Sequence, residues 1–245
     1  MNFDIITIFP KIFENYLNES ILKRAQKKKL IKVEIHNLRD FAKDKHRKVA
    51  LRQAQGNLEP RRKIDDRPFG GGPGMVMQIQ PIIKAVEFAK SKINPPAGGQ
   101  KSKIKVILFT PDGKQFDNKT AADLAKKYDN LILICGRYEG VDERVKKVIK
   151  DQGLKIEEIS VGPYVLTGGE LPTMVLIDAV SRQIPGVLGK IESLEEKRHG
   201  IGMPVYTRPE IFIYKGKKYR VPKILLSGNH KKIEEWRKKH LTPDI

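Results

Sequence analysis

Three short stretches carry residues whose types and spacing suit ligand chemistry: Leu108–Gly113 (LFTPDG), Leu133–Val145 (LICGRYEGVDERV) and Ser160–Gly169 (SVGPYVLTGG). Each puts glycine directly after an apolar, β-branched run. Glycine there marks a turn, or a place where another backbone or a ligand approaches too closely for a Cβ. In the second stretch Gly136 and Gly140 bracket Arg137, Tyr138 and Glu139. In open α/β sheets ligands bind beyond the carboxyl ends of the strands. Three such loops from neighbouring units can therefore converge on one pocket, although any one alone is weak evidence. A fourth glycine-rich run, DDRPFGGGPGMVM (Asp65–Met77), holds Gly70, Gly71, Gly72 and Gly74. It lacks the Gly-Lys-Ser/Thr of a phosphate-binding loop and the strand-to-helix context of a dinucleotide fingerprint. It is read either as an unusual backbone path or as a floppy loop.

The elements that would position these loops are legible from periodicity. Strands are expected at Phe3–Phe9, Ile31–Leu38, Ile104–Thr110, Asn130–Gly136 and Lys155–Leu166. Helices are expected at Lys11–Leu30, Gln80–Lys92, Asn118–Tyr128, Val141–Gly153 and Glu170–Ile184. Strands alternating with helices argue for an α/β domain with a largely parallel sheet. Lys43–Lys63 reads as an exposed, inserted loop, and 189–205 as a polar interdomain linker. The segment 206–245 holds an extended or hairpin-like run, Glu210–Pro222, and a basic helix, Asn229–His240.

Composition bounds the partners. The 245 residues include 48 Lys and Arg against 29 Asp and Glu, a formal net charge of +19. From Thr207 onward 11 basic residues face 4 acidic ones, a local surplus that suits a polyanion such as nucleic acid better than a merely lysine-rich background. Cys135 is the single cysteine, which excludes an internal disulfide and disfavours a thiolate zinc site. No metal-ligand cluster stands out. No apolar run approaches the ~18 residues of a membrane span, and the start, MNFDIITIFPKIF, has no secretory pattern. The expectation is a cytoplasmic protein with no membrane association.

Together DIITIFPKIF, DDRPFGGGPGMVM, LICGRYEGVDERV, VLTGGELPTMVLIDAVSRQIPGVLG, YTRPEIF and VPKILLSGNHKKIEEWR resemble the bacterial tRNA (guanine-N1)-methyltransferases, the TrmD family of knotted SPOUT enzymes. The resemblance covers nearly the whole chain. It implies an α/β fold with a parallel sheet flanked by helices and a deep trefoil knot (1–188), plus a small, mainly helical tRNA-binding domain (206–245). It also implies a homodimer, S-adenosylmethionine as methyl donor, and methylation of guanine N1 at tRNA position 37. The family's cofactor loops fall on Leu108, Thr110, Gly136, Tyr138, Val161, Gly162, Tyr164, Leu166, Gly168 and Gly169. The paired glycines would then lie where the threaded chain and the cofactor crowd the backbone. Mg²⁺ is a further cofactor the family implies, without an assigned site.

Methyl transfer from a sulfonium needs alignment of nucleophile and methyl, a base for the guanine N1 proton and a donor for charge growing on O6. Arg182 matches the family's catalytic arginine; without the resemblance, a helix arginine paired with an acid would be the first reading. The family's linker aspartate has no counterpart, because its place holds Lys197, which cannot accept a proton when charged. Glu196 is the expected base, Glu195 the alternative, and His199 the third choice. Pro163 also stands where the family has aspartate, and the tRNA-binding region is shorter than the family's. Two other readings stay open: a SPOUT enzyme acting on another RNA site, and an RNA-binding protein that has kept the fold without the chemistry.

Overall fold

The computed structural model describes residues 1–42, 63–93, 102–189 and 203–240. The chain divides into two compact units, Met1–Val187 and Leu188–Ile245. The first is built on a five-stranded sheet in the order β2-β1-β6-β5-β7. Its strands are β1 (Asn2–Thr7), β2 (Lys32–Asn37), β5 (Ile104–Gln115), β6 (Asn130–Ile134) and β7 (Lys155–Ser160). Every neighbouring pair is parallel. The short strands β3 (Asp65–Asp66) and β4 (Val76–Met77) form a separate antiparallel pair.

Both faces of the sheet are covered, which is why its strands read as continuous apolar runs. Successive side chains point to opposite faces. Phe3, Ile5, Ile107, Phe109, Leu131 and Leu133 pack with α1 (Glu14–Leu17), α2 (Ser20–Lys27), α4 (Asn118–Lys127) and α6 (Glu170–Arg182). Ile6, Val106, Leu108, Ile132 and Ile134 pack with α3 (Ile79–Lys92) and α5 (Arg144–Asp151).

Three expectations need correction. The helix expected over Lys11–Leu30 is a 3-10 turn (Pro10–Phe13) followed by α1 and α2, with Ser20 at φ 46°. The Gln26 amide donates to the Leu17 carbonyl at 2.7 Å, so a side chain takes a carbonyl that a continuous helix would use, while the Asn18 amide joins its own backbone N–H on the Glu14 carbonyl at 2.8 Å. Phe13, Leu17, Leu22 and Ala25 still face the core, so the apolar spacing survives the break. The strand expected to reach Leu166 stops at Ser160. Gly162 and Pro163 interrupt it, and the Ser160 hydroxyl donates to the Gly162 carbonyl at 2.9 Å. Finally, β5 runs past Thr110 to Gln115. Phe109 and Lys114 both pair with Ile159, so the four residues between them leave the ladder.

In the second unit an antiparallel hairpin, β8 (Ile211–Tyr214) and β9 (Lys217–Arg220), precedes α7 (Lys223–Leu226) and α8 (His230–Lys239). The inserted loop at 43–63 and the linker at 189–205 lie largely outside the described residues. No described helix is long and apolar enough to cross a membrane.

Candidate active site

The carboxyl ends of β5, β6 and β7 carry the site. The excursion at Thr110–Gly113 from β5, the turn Gly136–Gly140 after β6, and the segment Val161–Gly169 after β7 enclose one cavity of about 380 Å³. Close backbone packing holds the three together. The Gly169 N–H donates to the Gly136 carbonyl at 2.9 Å, and Arg137 and Gly168 form an isolated antiparallel bridge. A Cβ on Gly169 would lie 2.7 Å from the Cys135 Cα and 3.0 Å from the Gly136 N. A Cβ on Gly113 would lie 2.7 Å from the backbone of Glu158 and Ile159. These glycines are there because two segments of the chain touch, and neither needs an unusual φ.

Leu108, Thr110, Gly136, Tyr138, Val161, Tyr164, Leu166, Gly168 and Gly169 all line this cavity. Gly162 does not. A Cβ there would run into the Tyr164 ring at 2.3 Å, so this glycine lets the ring fold back under its own loop. The Tyr164 hydroxyl donates to the Val161 carbonyl at 3.2 Å. Arg182 is also outside the cavity. It ends α6 while Glu170 begins it, a separation of roughly 18 Å along the axis at 1.5 Å per residue. Glu195, Glu196, Lys197 and His199 lie outside the described residues.

The glycine-rich run Asp65–Met77 closes the outer side of the Gly136–Gly140 turn. Met77 N–H donates to the Gly140 carbonyl at 2.9 Å, and Glu139 N–H to the Met75 carbonyl at 3.0 Å. Gly70, Gly71, Gly72 and Gly74 all have φ between 82° and 107°, the left-handed region open mainly to glycine. The run therefore takes a backbone path that other residues would follow only with strain.

Beneath the cavity lies a polar network that sequence reasoning missed. The Arg137 Nε donates to a Glu170 carboxylate oxygen at 2.8 Å, and its Nη1 to the Thr167 carbonyl at 3.1 Å. The other Glu170 oxygen accepts from the Thr7 hydroxyl at 2.8 Å. The guanidinium also lies 4.7 Å from the centroid of the Phe9 ring. Glu170 is only 2% exposed and sits in the first turn of α6, where the helix dipole favours a carboxylate. This network ties β1, the turn after β6 and the start of α6 together. The available signal was a charged residue held between two glycines, followed by a carboxylate directly after the paired glycines. Next to it the Cys135 thiol, 3.2 Å from the Thr173 hydroxyl, is fully buried. Burial pushes its pKa well up, so it is an inert core thiol.

The cavity is acidic. Asp112, Glu139, Glu143 and Glu158 line it, and Arg137, already paired with Glu170, is the sole basic residue among the described residues that line it. Lys146 pairs with both Glu143 and Glu158. The Thr110 hydroxyl donates to Asp112 and holds its carboxyl below the usual carboxylate range. Burial, then the hydrogen bond with Asp65, raises the Tyr138 phenol, so it is neutral at physiological pH. Such a lining favours a cationic ligand. Among the described residues one group of three metal-ligand donors exists: Asp4, Glu34 and His36, on β1 and β2. It is not among the cavity residues, and His36 and Asp4 already share a hydrogen bond of 2.7 Å.

Comparison with known proteins agrees with this picture. The profile of a family described as tRNA (Guanine-1)-methyltransferase TrmD matches residues 1–243. The tRNA (guanine-N(1)-)-methyltransferase of Dictyoglomus turgidum is 48% identical over 242 residues, 98% of this chain and 84% of that protein. The protein of the same name from Citrifermentans bemidjiense is also 48% identical over 242 residues, covering 98% and 84%. That of Ruminiclostridium cellulolyticum is 47% identical over 240 residues, 97% of this chain and 89% of its own length.

Proposed function

From the premise that this chain belongs to the TrmD family of tRNA (guanine-1)-methyltransferases, we propose that it methylates N1 of guanine 37 in tRNA, beside the anticodon, as a knotted homodimer. It is a tRNA guanine-N1 methyltransferase that uses S-adenosylmethionine. The observation that carries the placement of the cofactor is the convergence of three strand-end loops on one acidic cavity.

The residues present fit S-adenosylmethionine. Its sulfonium and ammonium are both cationic, and the lining is rich in carboxylates. The glycines at positions 136, 168 and 169 keep side chains away from the backbone floor, and Leu108, Val161 and Leu166 offer apolar contact. When bound, the cofactor supplies a methyl group activated by positive sulfur. The protein aligns guanine N1 with that methyl and excludes water. A carboxylate of the chain would take the N1 proton as N1 accepts the methyl group. Glu196 is the proposed base and Glu195 the alternative. Arg182 stabilises the charge that grows on O6.

The return of Val161–Gly169 across Cys135–Gly136, before α6 packs against β1, supports the trefoil knot. The position of Arg182 supports the dimer. Leu171, Val175, Asp178 and Arg182 recur at helical spacing along one side of α6. Leu171 is 55% and Val175 49% exposed, and Phe9, Ile12 and Tyr16 are similarly open. The Tyr16 hydroxyl donates to Asp178 at 2.5 Å. An apolar patch of this kind marks an interface. In a two-fold pair, Arg182 of one copy would serve the cavity of the other.

Magnesium has no assigned site: among the described residues the one three-donor group lies outside the cavity and includes a histidine, whereas Mg²⁺ prefers oxygen ligands. No step is derived through it.

The test is methyl transfer from labelled S-adenosylmethionine to an unmodified tRNA transcript with guanine at position 37, beside the same transcript with adenine there. Label in the first alone is expected. Label in both, or in neither, overturns position 37. Glu196→Gln should lose about 100-fold or more in kcat. Full activity in both Glu196→Gln and Glu195→Gln would remove the linker carboxylates from the mechanism.

A further inference from the structure

The hairpin of the second unit has a composition that its role as a fold element does not need. Its two-residue loop, Lys215 and Gly216, has φ of 48° and 78°, the geometry that matches the twist of paired strands. The register sets Phe212 opposite Tyr219 and Tyr214 opposite Lys217. With alternation along each strand, Phe212, Tyr214, Lys217 and Tyr219 share one face. All three rings are open to solvent: Phe212 56%, Tyr214 54% and Tyr219 48% exposed. Phe212 and Tyr214 lie nearly parallel, 11° between planes, with centroids 6.5 Å apart. Lysine ammoniums stand beside them, Lys215 at 5.5 Å from the Tyr214 ring and Lys217 at 5.5 Å from the Tyr219 ring.

Three exposed aromatics on one face of a hairpin are an unusual use of apolar surface. The charge around them says what covers them. Between Glu210 and Glu234 the sequence has no acidic residue and seven Lys or Arg. A second copy of this face would meet like charge, while a polyanion would be drawn to it. We infer that the Phe212, Tyr214 and Tyr219 face is a stacking platform for unpaired bases of RNA, with Lys215 and Lys217 on the adjoining phosphates. Aromatic faces hold unpaired bases whatever their sequence, and cationic rims track the backbone. The inference rests on RNA being the substrate, and assigns part of its grip to this element.

The test uses the full chain and two probes: an unstructured 12-nucleotide RNA carrying one 2-aminopurine, and the same RNA as a blunt duplex. The expected result is tighter binding of the single strand, with aminopurine fluorescence quenched on binding. Tyr214→Leu and Tyr219→Leu should each weaken single-strand binding about tenfold, while Tyr214→Phe and Tyr219→Phe stay within about twofold. Lys215→Gln with Lys217→Gln should flatten the salt dependence by about 0.7 per charge removed. Unchanged affinity in the leucine variants, or no quenching, overturns the platform. So does a change in sedimentation with RNA binding intact, because the face would then pack on a second copy. Loss of methyl transfer with single-strand binding preserved counts against the methyltransferase reading alone.

Discussion

Gly169 shows how one hydrogen atom in place of a methyl group decides whether the cavity can form. Its missing Cβ would sit 2.7 Å from a backbone carbon, which cannot rotate away as a side chain can. Gly169→Ala is expected to weaken S-adenosylmethionine binding at least about tenfold by calorimetry, from an overpacking strain of roughly 1–3 kcal/mol. Gly189→Ala, with nothing within 4 Å of the new Cβ, should bind as the parent does. Equal affinities would show that the crossing yields without cost. Glu170 is the second residue on which much depends. Glu170→Ala strips the acceptor from Arg137, whose side chain is 17% exposed, and from the buried Thr7 hydroxyl. Breaking such a pair from one side costs about 3 kcal/mol or more, so melting should fall by roughly 10 °C. A shift of only a degree or two would mean that water replaces the carboxylate.

Among the elements, α4 offers a clean test because its start is capped by a single carboxylate. The Asp117 side chain accepts from the Thr120 N–H at 2.6 Å, and hydrogen bonding to Thr120 lowers its pKa from the ordinary 3.8. A depressed folded pKa means stability that is fully present above the unfolded value and is lost as pH falls through the folded one. Asp117→Ala should therefore cost about 1 kcal/mol near neutrality, and the gap to the parent should close as pH drops below the usual carboxylate range. Urea unfolding at pH 7 and at pH 2.5 measures both ends. A gap that persists in acid would assign the cost to helix packing instead.

At the scale of the whole molecule, Arg182 does not line the cavity of its own copy and stands at the opposite end of α6 from it. Under the role proposed for Arg182, activity is expected to need a second copy. Val175→Arg places charge in the exposed apolar stripe of α6 without touching the core. It should sediment as a monomer and lose about 100-fold or more in methyl transfer, while still binding S-adenosylmethionine. A fully active monomer would place Arg182 outside the mechanism.

Periodicity alone marked the five sheet strands and the helices that follow them, because alternation and 3.6-residue spacing are local properties of burial. Glycine at three strand ends marked where the cavity would open, and the surplus of lysine and arginine marked a polyanionic partner. Sequence could not show that Lys11–Leu30 breaks, since Gln26 diverts the Leu17 carbonyl without disturbing the apolar spacing. The end of β7 at Ser160 was signalled by Gly162 and Pro163, but the apolar Tyr164–Leu166 beyond them made the strand look longer than it is. The Thr7–Glu170–Arg137 network joins residues 163 positions apart, and no local pattern records such a pairing. That contact, and the backbone-to-backbone crossing at Gly169, exist only once the chain has folded back on itself. The sequence by itself determined which residues prefer to be buried and where the chain can turn. The tertiary structure alone decided which of those turns meet, because packing selects contacts by shape and charge across distances that local propensities do not span.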